Sequence, residues 1–368
     1  MRLEVSGLHK SYGRHIAVCD VDLTVAEGEF VVILGPSGCG KTTTLRCLAG
    51  LERPNCGTIR IGATTVFGED GGIFVPPEQR NIGMIFQSYA LWPHMTVYEN
   101  VAFPFEARRQ RGAGVRARVR EVLALVGLAG LEDRSASLLS GGQMQRVALA
   151  RALACKPAAL LFDEPLSNLD QKLRQHLRQE LRDLQKKSGA SAVFVTHDQN
   201  EAAALADRII VMNEGRVVQN ATPECLFSTP ADRFTADFIG IPNILQVSSV
   251  EQVGRDRWHA GVSAGIQLNA TAFPAAKPSV GWWVWFRAEH VSITTHPSSD
   301  PKAQCFAARI AQRTFAGLDY TYRLRLNGLI SGQAIDVVAR SAEKYDVGRD
   351  AFATISGDNV HLVPGVQA

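Results

Sequence analysis

The chain has no run of about eighteen apolar residues, the length a helix needs to cross a bilayer. Its most hydrophobic short pieces, FVVIL (30–34) and WWVWF (282–286), are strand-sized. The opening residues, MRLEVSGLHK, lack the apolar core of a secretory signal. Seven cysteines (Cys19, Cys39, Cys47, Cys56, Cys155, Cys225 and Cys305) are odd in number, scattered and without a CxxC pair. That pattern argues against a disulfide framework or a zinc site and for reduced thiols in a cytoplasmic protein. Charge of one sign is also missing. With 39 basic and 36 acidic residues the net charge is +3, which implies no strong field for nucleic acid or membrane. The one basic run, EARRQRGAGVRARVRE (106–121), reads as a solvated helix face. There is no internal repeat and no low-complexity tract.

What is present is an ordinary globular composition, 46% apolar and 20% charged over 368 residues, long enough for two domains with separate cores. Up to about residue 235, strand-like and helix-like segments alternate. FVVILG (30–35), ALLFDEP (159–165) and SAVFVTHD (191–198) read as strands, and QKLRQHLRQELRDLQKKSG (171–189) as a helix between the last two. Such alternation implies a mainly parallel sheet covered by helices, with strand ends gathered at one ligand-binding edge. Beyond FIGIPNIL (238–245) the character changes. IQLNATAF, VGWWVWFRA, TYRLRLNG, AIDVVAR and DAFATISG are short strand-like runs between turn residues, which suggests a small β-barrel or sandwich.

GPSGCGKT (35–42) fits G-x-x-x-x-G-K-[ST] with a strand before it and the helix TTTLRCLAG after it. The loop Gly35, Pro36, Ser37, Gly38, Cys39, Gly40 would curl backbone N–H groups around phosphate, with Thr43 following in the helix. Lys41 would supply a point charge to the outer phosphates, and the Thr42 hydroxyl would ligate Mg²⁺. Cys39 reads as a small filler, although a helix N-terminus would lower its thiol pKa. Asp163 and Glu164 end a buried strand, where Asp163 would hold the metal through water and Glu164 would polarise an attacking water. His197 ends the third strand, placed to bond the γ-phosphate and position that water. Gln87, after IGMIF, sits at a fourth strand end within reach of the metal or the water. Tyr12 is placed to stack on adenine, and a packing role beside Gly13 explains it equally.

LSGGQMQRVALARALA opens a helix at Ser140. Ser140 can cap it, and the bare Gly141–Gly142 backbone would let an anion approach. A plain capped helix fits as well.

GPSGCGKT, Gln87, LSGGQ, LFDEP, SNLD (167–170) and His197 stand in an order and spacing that resembles the ATP-binding subunits of ABC transporters. The resemblance covers nearly the whole chain, and LSGGQ separates that family from other P-loop NTPases. It implies an α/β P-loop NTPase core over 1–237, with a helical subdomain at about 88–158, followed by a C-terminal all-β, OB-like domain over 238–368, for which a regulatory role and a purely dimer-stabilising one fit equally. It implies ATP and Mg²⁺ as cofactors and a head-to-tail pair with a second copy or a paralogue. In that pair Ser140, Gly141, Gly142 and Gln143 contact the γ-phosphate held by the partner's P-loop, and Asp170 links the two sites. Transmembrane permease subunits, and through them a solute-binding protein, would be the other partners, with no nucleic acid. The chain would then sit on the inner face of the membrane. Tyr89, Leu91, Trp92, Pro93 and His94 would lie near the permease, a Trp–Pro turn being equally compatible with local packing.

The tail (FIGIPNIL, WFRAEHVSI, RTFAGLDYTYRLRLNG and the closing VGRDAFATISGDNVHLVP) is similar to the C-terminal domain of the maltose, polyamine and ferric-iron import ATPases. Ala288 stands where that group usually has proline. VPPEQRNIGMIFQSYALWPHMTVYENVAFPF leans toward the iron(III) and polyamine branches. An exporter ATPase would normally lack such a tail. An ABC ATPase acting on DNA or ribosomes would show a coiled-coil insertion, tandem cassettes or zinc cysteines, none of which this sequence has.

Overall fold

A computed structural model describes residues 2–69, 71–167, 171–272, 281–298, 300, 303–327 and 334–365. The chain forms two compact units, Met1–Leu226 and Phe227–Ala368.

In the first unit, β1 (Leu3–Tyr12) and β2 (His15–Val25) pair antiparallel. β3 (Phe30–Leu34) is buried at every position, with no side chain more than 1% exposed. Burying each such aliphatic or aromatic side chain is worth about 1.5–3 kcal/mol, which fixes this strand at the centre. Next come α1 (Lys41–Ala49), β4 (Cys56–Ile61), β5 (Thr64–Gly68), β6 (Ile73–Phe74) and β7 (Ile82–Ile85). A helical stretch follows, made of α2 (Val97–Ala107), α3 (Ala113–Leu125) and α4 (Gly141–Leu153). Then β8 (Ala159–Asp163), α5 (Gln171–Ser188), β9 (Ser191–Thr196), α6 (Gln199–Leu205), β10 (Arg208–Asn213), β11 (Arg216–Ala221) and α7 (Pro223–Ser228) complete the alternation.

The main sheet has the order β11-β10-β3-β9-β8-β7, parallel throughout except for β11. The expected parallel sheet is therefore present. The structure adds a second, antiparallel sheet, β2-β1-β4-β5-β6. LEVSGLHKSY is buried only at scattered positions along its length, so it carries a weaker hydrophobic signal than the fully buried β3, β8 and β9.

Among its described residues the second unit is all-β apart from the end of α7, one short helix, α8 (Arg233–Phe238), and single turns. β12 (Asn243–Gln252), β13 (Arg257–Val262), β14 (Gln267–Ala272), β15 (Trp283–Phe286) and β21 (His361–Val363) close into a five-stranded barrel. Beside it, β16 (Val291–Thr294), β17 (Ala303–Phe315), β18 (Tyr320–Asn327), β19 (Ala334–Ser341) and β20 (Asp350–Ser356) form a sheet in the order β16-β20-β17-β18-β19. This is the expected OB-like class. α8 lies on this side of the division, earlier than the expected boundary at 237/238. Its Arg233 N–H donates to the Pro364 carbonyl (3.1 Å), and the Arg233 guanidinium lies 4.1 Å from the Trp283 ring centroid.

Candidate functional site

The carboxyl ends of β3, β7, β8 and β9 lead into the four segments that carry the candidate chemistry. After β3 the chain turns through Gly35 to Gly40 into α1. Gly40 takes φ 101° as the N-cap, and a Cβ there would meet the Ala17 carbonyl oxygen at 2.2 Å. At Gly35 a Cβ would stand 2.4 Å from the Met212 carbonyl oxygen. Glycine is thus required twice, once for the left-handed turn and once for close backbone approach. Lys41 is 4% exposed, and its Nζ donates to the Gly35 and Pro36 carbonyls at 2.8 and 2.7 Å. The cation is held inside its own loop. Cys39 is 4% exposed, and burial pushes its thiol pKa up despite Lys41. The helix-terminus lowering anticipated for it is outweighed.

Thr42 Oγ1 donates to Asp163 Oδ1 at 3.0 Å. Asp163 is 7% exposed, and burial raises its pKa, an effect opposed by the Thr42 hydrogen bond and by Arg46. Glu164 follows in a left-handed conformation, φ 44°. A non-glycine residue held there stores strain of order 1–3 kcal/mol, a pattern concentrated at functional sites. Glu164 Oε2 lies 3.3 Å from His197 Nδ1. The half-exposed His197 therefore meets the carboxylate directly.

Gln87 Nε2 donates to Ser167 Oγ (3.1 Å), and Ser167 Oγ donates to the Glu164 carbonyl (3.0 Å). Tyr12 is 45% exposed. Its phenol pKa is raised by burial and Glu52, its hydroxyl interacts with Thr43, and Lys10 Nζ stands 4.8 Å from its ring centroid. Tyr12 thus belongs beside the loop helix. Thr42, Lys41, Asp163, Glu164, His197 and Gln87 form one constellation, linked through Ser167. Asp170 lies outside the described residues.

The signature segment is built differently. Ser140 caps α4 with a reciprocal box: Gln143 N–H donates to Ser140 Oγ (3.4 Å), and Ser140 N–H donates to Gln143 Oε1 (3.1 Å). α4 packs on α2, α3, α5 and β7, while α1 packs on β2, β8 and β9. Ser140, Gly141, Gly142 and Gln143 therefore rest on different elements from Lys41 and Glu164. Among Tyr89, Leu91, Trp92, Pro93 and His94, Tyr89 departs from the expected surface role: it is 8% exposed and turned inward.

Three supporting residues escaped the sequence reading. Arg80, 1% exposed, donates to the Cys47 and Leu48 carbonyls at 2.7 Å each, closing the C-terminal end of α1. Burial lowers its pKa to about 10. Arg174 joins Asp198 Oδ2 (3.3 Å), Glu201 Oε1 (3.7 Å) and the Ser167 carbonyl (3.4 Å). Asp198 caps α6 immediately after His197. No short motif signals these contacts, because each arginine reaches segments distant in sequence.

A glycine loop holding a lysine, a hydroxyl-to-aspartate pair and a glutamate on a histidine define a P-loop ATPase. The ABC transporter family model matches residues 18–167. The trehalose/maltose import ATP-binding protein of Thermococcus litoralis is 53% identical over 63% of this chain and 63% of its own length, under two thirds of that relative. The spermidine/putrescine import ATP-binding protein of Rubrobacter xylanophilus is 44% identical over 88% of this chain and 83% of its own length. A dimeric ATP-binding cassette in a post-hydrolysis state with ADP and Pi is 35% identical, with TM-score 0.51, over 60% of this chain and 98% of that one. The chain belongs to the ABC transporter family, among the ATP-binding subunits of importers.

Proposed function

We propose that this subunit hydrolyses ATP in a head-to-tail pair with a second copy, on the inner face of a membrane, and so drives permease subunits that import a small solute. The solute in this reading is iron(III), a polyamine or a similar small solute, delivered by a solute-binding protein. The separation of functions within one chain supports the pairing. The Lys41–Asp163–Glu164–His197 constellation and the capped Ser140–Gly142 turn rest on different elements, and that turn offers backbone donors but neither lysine nor acid.

In this mechanism the backbone of Gly35 to Gly40 and the start of α1 hold the phosphates, and Lys41 exchanges its two carbonyl partners for phosphate oxygen. Hard oxygen donors at Thr42 and Asp163, already 3.0 Å apart, with Gln87 close by through Ser167, suit Mg²⁺. When bound, the ion neutralises charge on the phosphates. Glu164 accepts the proton of the attacking water, and the bond from phosphorus to the bridging oxygen breaks. His197, oriented by Glu164, holds the γ-phosphate. Ser140, Gly141, Gly142 and Gln143 of the second copy close the site. The permease docks on a groove of ≈ 330 Å³ beside Phe86, Trp92, Phe103 and Pro104.

Ser140→Arg tests the pairing. Nucleotide still reaches the P-loop, while ATP-driven dimerisation and hydrolysis are lost. A variant that hydrolyses ATP at the parent rate, or one that no longer binds nucleotide as a monomer, would show that the signature acts otherwise.

A further inference from the structure

Arg151 lies in the last turn of α4, the helix that Ser140 caps, and is 8% exposed. Its NH1 donates to the Ala90 carbonyl at 2.5 Å and its NH2 to the Tyr89 carbonyl at 2.7 Å. Both acceptors are non-glycine residues in the left-handed region, Tyr89 at φ 60° and Ala90 at φ 47°. The guanidinium also lies 5.0 Å from the Trp92 ring centroid, and Trp92 packs on Phe103 at 4.1 Å. Beyond Trp92, Asn100 is fully buried: its side chain accepts from Trp92 N–H (2.9 Å) and donates to the Trp92 and Thr96 carbonyls. The segment directly after Gln87 is thus held at two consecutive carbonyls and one ring.

A buried guanidinium is costly, and no carboxylate pairs with it among the described residues. Simple packing of α4 would be served better by an aliphatic side chain. What an arginine adds is a planar fork that grips two carbonyls at once and holds them in a strained conformation. One end of a stiff helix of 13 residues is thereby tied to the turn that positions Gln87. The other end of that helix is Ser140.

We propose that Arg151 is a positioning residue that couples the two nucleotide sites of the dimer. It makes the Gln87 turn and the signature helix move as one body, so that Gln87 engaging its own chain's nucleotide sets the placement of Ser140 against the partner's nucleotide. This rests on the head-to-tail reading above. The coupling has the form of a shared element that both sites bias.

The test is a double-mutant cycle on the full chain, measuring kcat and KM for ATP in Gln87→Ala, Arg151→Met and the double variant. Nucleotide affinity is measured separately in a Ser140→Arg background, where pairing is blocked. Arg151→Met is expected to lower kcat about 10-fold, the scale of an ordinary coupling energy, while changing that affinity by less than about twofold. Adding Arg151→Met to Gln87→Ala is expected to cost little more than the worse single change. Losses that multiply would overturn the coupling and leave Arg151 a packing residue. Arg151→Lys keeps the cation and a donor and is expected to recover part of kcat. If the Met variant does not fold, the same cycle is run with Lys and read by the same criterion. Hydrolysis at the parent rate by Ser140→Arg alone would instead remove the head-to-tail reading, whatever the cycle shows.

Discussion

Thr42 and Asp163 stand 121 residues apart in sequence, yet Thr42 Oγ1 donates to Asp163 Oδ1 at 3.0 Å. The contact exists because β3 and β8 both flank β9 in a parallel sheet and release the chain at the same edge. Asp163 has a raised pKa, first because it is buried. A raised carboxylate pKa means that the folded state holds the proton more tightly than the unfolded one. Stability from this group therefore falls as pH rises from the unfolded value through the folded one. Asp163→Asn is expected to raise the melting temperature of the nucleotide-free protein at neutral pH and to flatten its pH dependence. The same change should abolish Mg²⁺-dependent hydrolysis. A nucleotide-free variant that melts lower than the parent at neutral pH would refute this account of the Asp163 charge.

Glu164 and His197 form the second pair to test. Glu164→Gln keeps the shape and removes the proton acceptor, so kcat is expected to fall by about 10²–10⁴, the usual range for general base catalysis. ATP should then accumulate in a stable dimer, visible by size-exclusion chromatography with ATP and absent with ADP. Turnover at the parent rate would remove Glu164 from the chemistry. His197→Ala should also lower kcat, with little change in monomer nucleotide affinity.

The parts of this site that were legible in the sequence are those where chemistry and backbone are adjacent. Lys41 and Thr42 sit in a glycine loop, Asp163 and Glu164 end an apolar run, and Ser140 precedes two glycines. Each is a strand or helix terminus carrying its own local signal. The buried Arg80 and Arg151 and the partly buried Arg174 were not legible, because such an arginine is identified only by the carbonyls and carboxylates it reaches. The same limit applies to the fold. β3, β8 and β9 are buried throughout and read clearly, whereas β1 and β17 are buried at only part of their length and leave a faint pattern. Cys39 shows the reverse: the sequence suggests a helix terminus that lowers its pKa, and burial decides the sign.

Arg174 gathers the Ser167 carbonyl, Asp198 and Glu201 into one network. Glu201 is only 3% exposed, and burial raises its pKa, opposed by its hydrogen bond from Thr196 and by Arg174. Arg174→Met takes one of the two guanidinium charges, those of Arg174 and Arg178, away from that carboxylate and is expected to cost about 1–3 kcal/mol, the penalty for stranding a buried polar group. Adding Glu201→Gln should restore part of the loss, because glutamine still accepts from Thr196 without a charge. Denaturant midpoints of the single and double variants measure this. No recovery in the double variant would mean that Arg174 acts through Ser167 or Asp198 alone.

In the β unit the sharpest expectation concerns acid. His361 packs against Trp285 at 4.6 Å between ring centroids, the rings tilted by 40°, and Thr271 Oγ1 lies 2.8 Å from its Nδ1. Burial, with His290 adding repulsion, lowers its pKa to about 4. The unfolded state therefore binds a proton that the folded state refuses between the ordinary histidine value and about 4. Stability is full above the ordinary value and is lost as pH falls through that window. With allowance for solvent screening of a partly exposed ring, the loss is about 2 kcal/mol. His361→Phe keeps an aromatic ring against Trp285 and cannot protonate, and Thr271 Oγ1 retains the Val360 carbonyl at 3.2 Å. Urea unfolding followed by tryptophan fluorescence at pH 7 and at about pH 5 should show the parent weakening and the variant holding steady. An equal acid shift in both proteins would move the acid sensitivity away from His361.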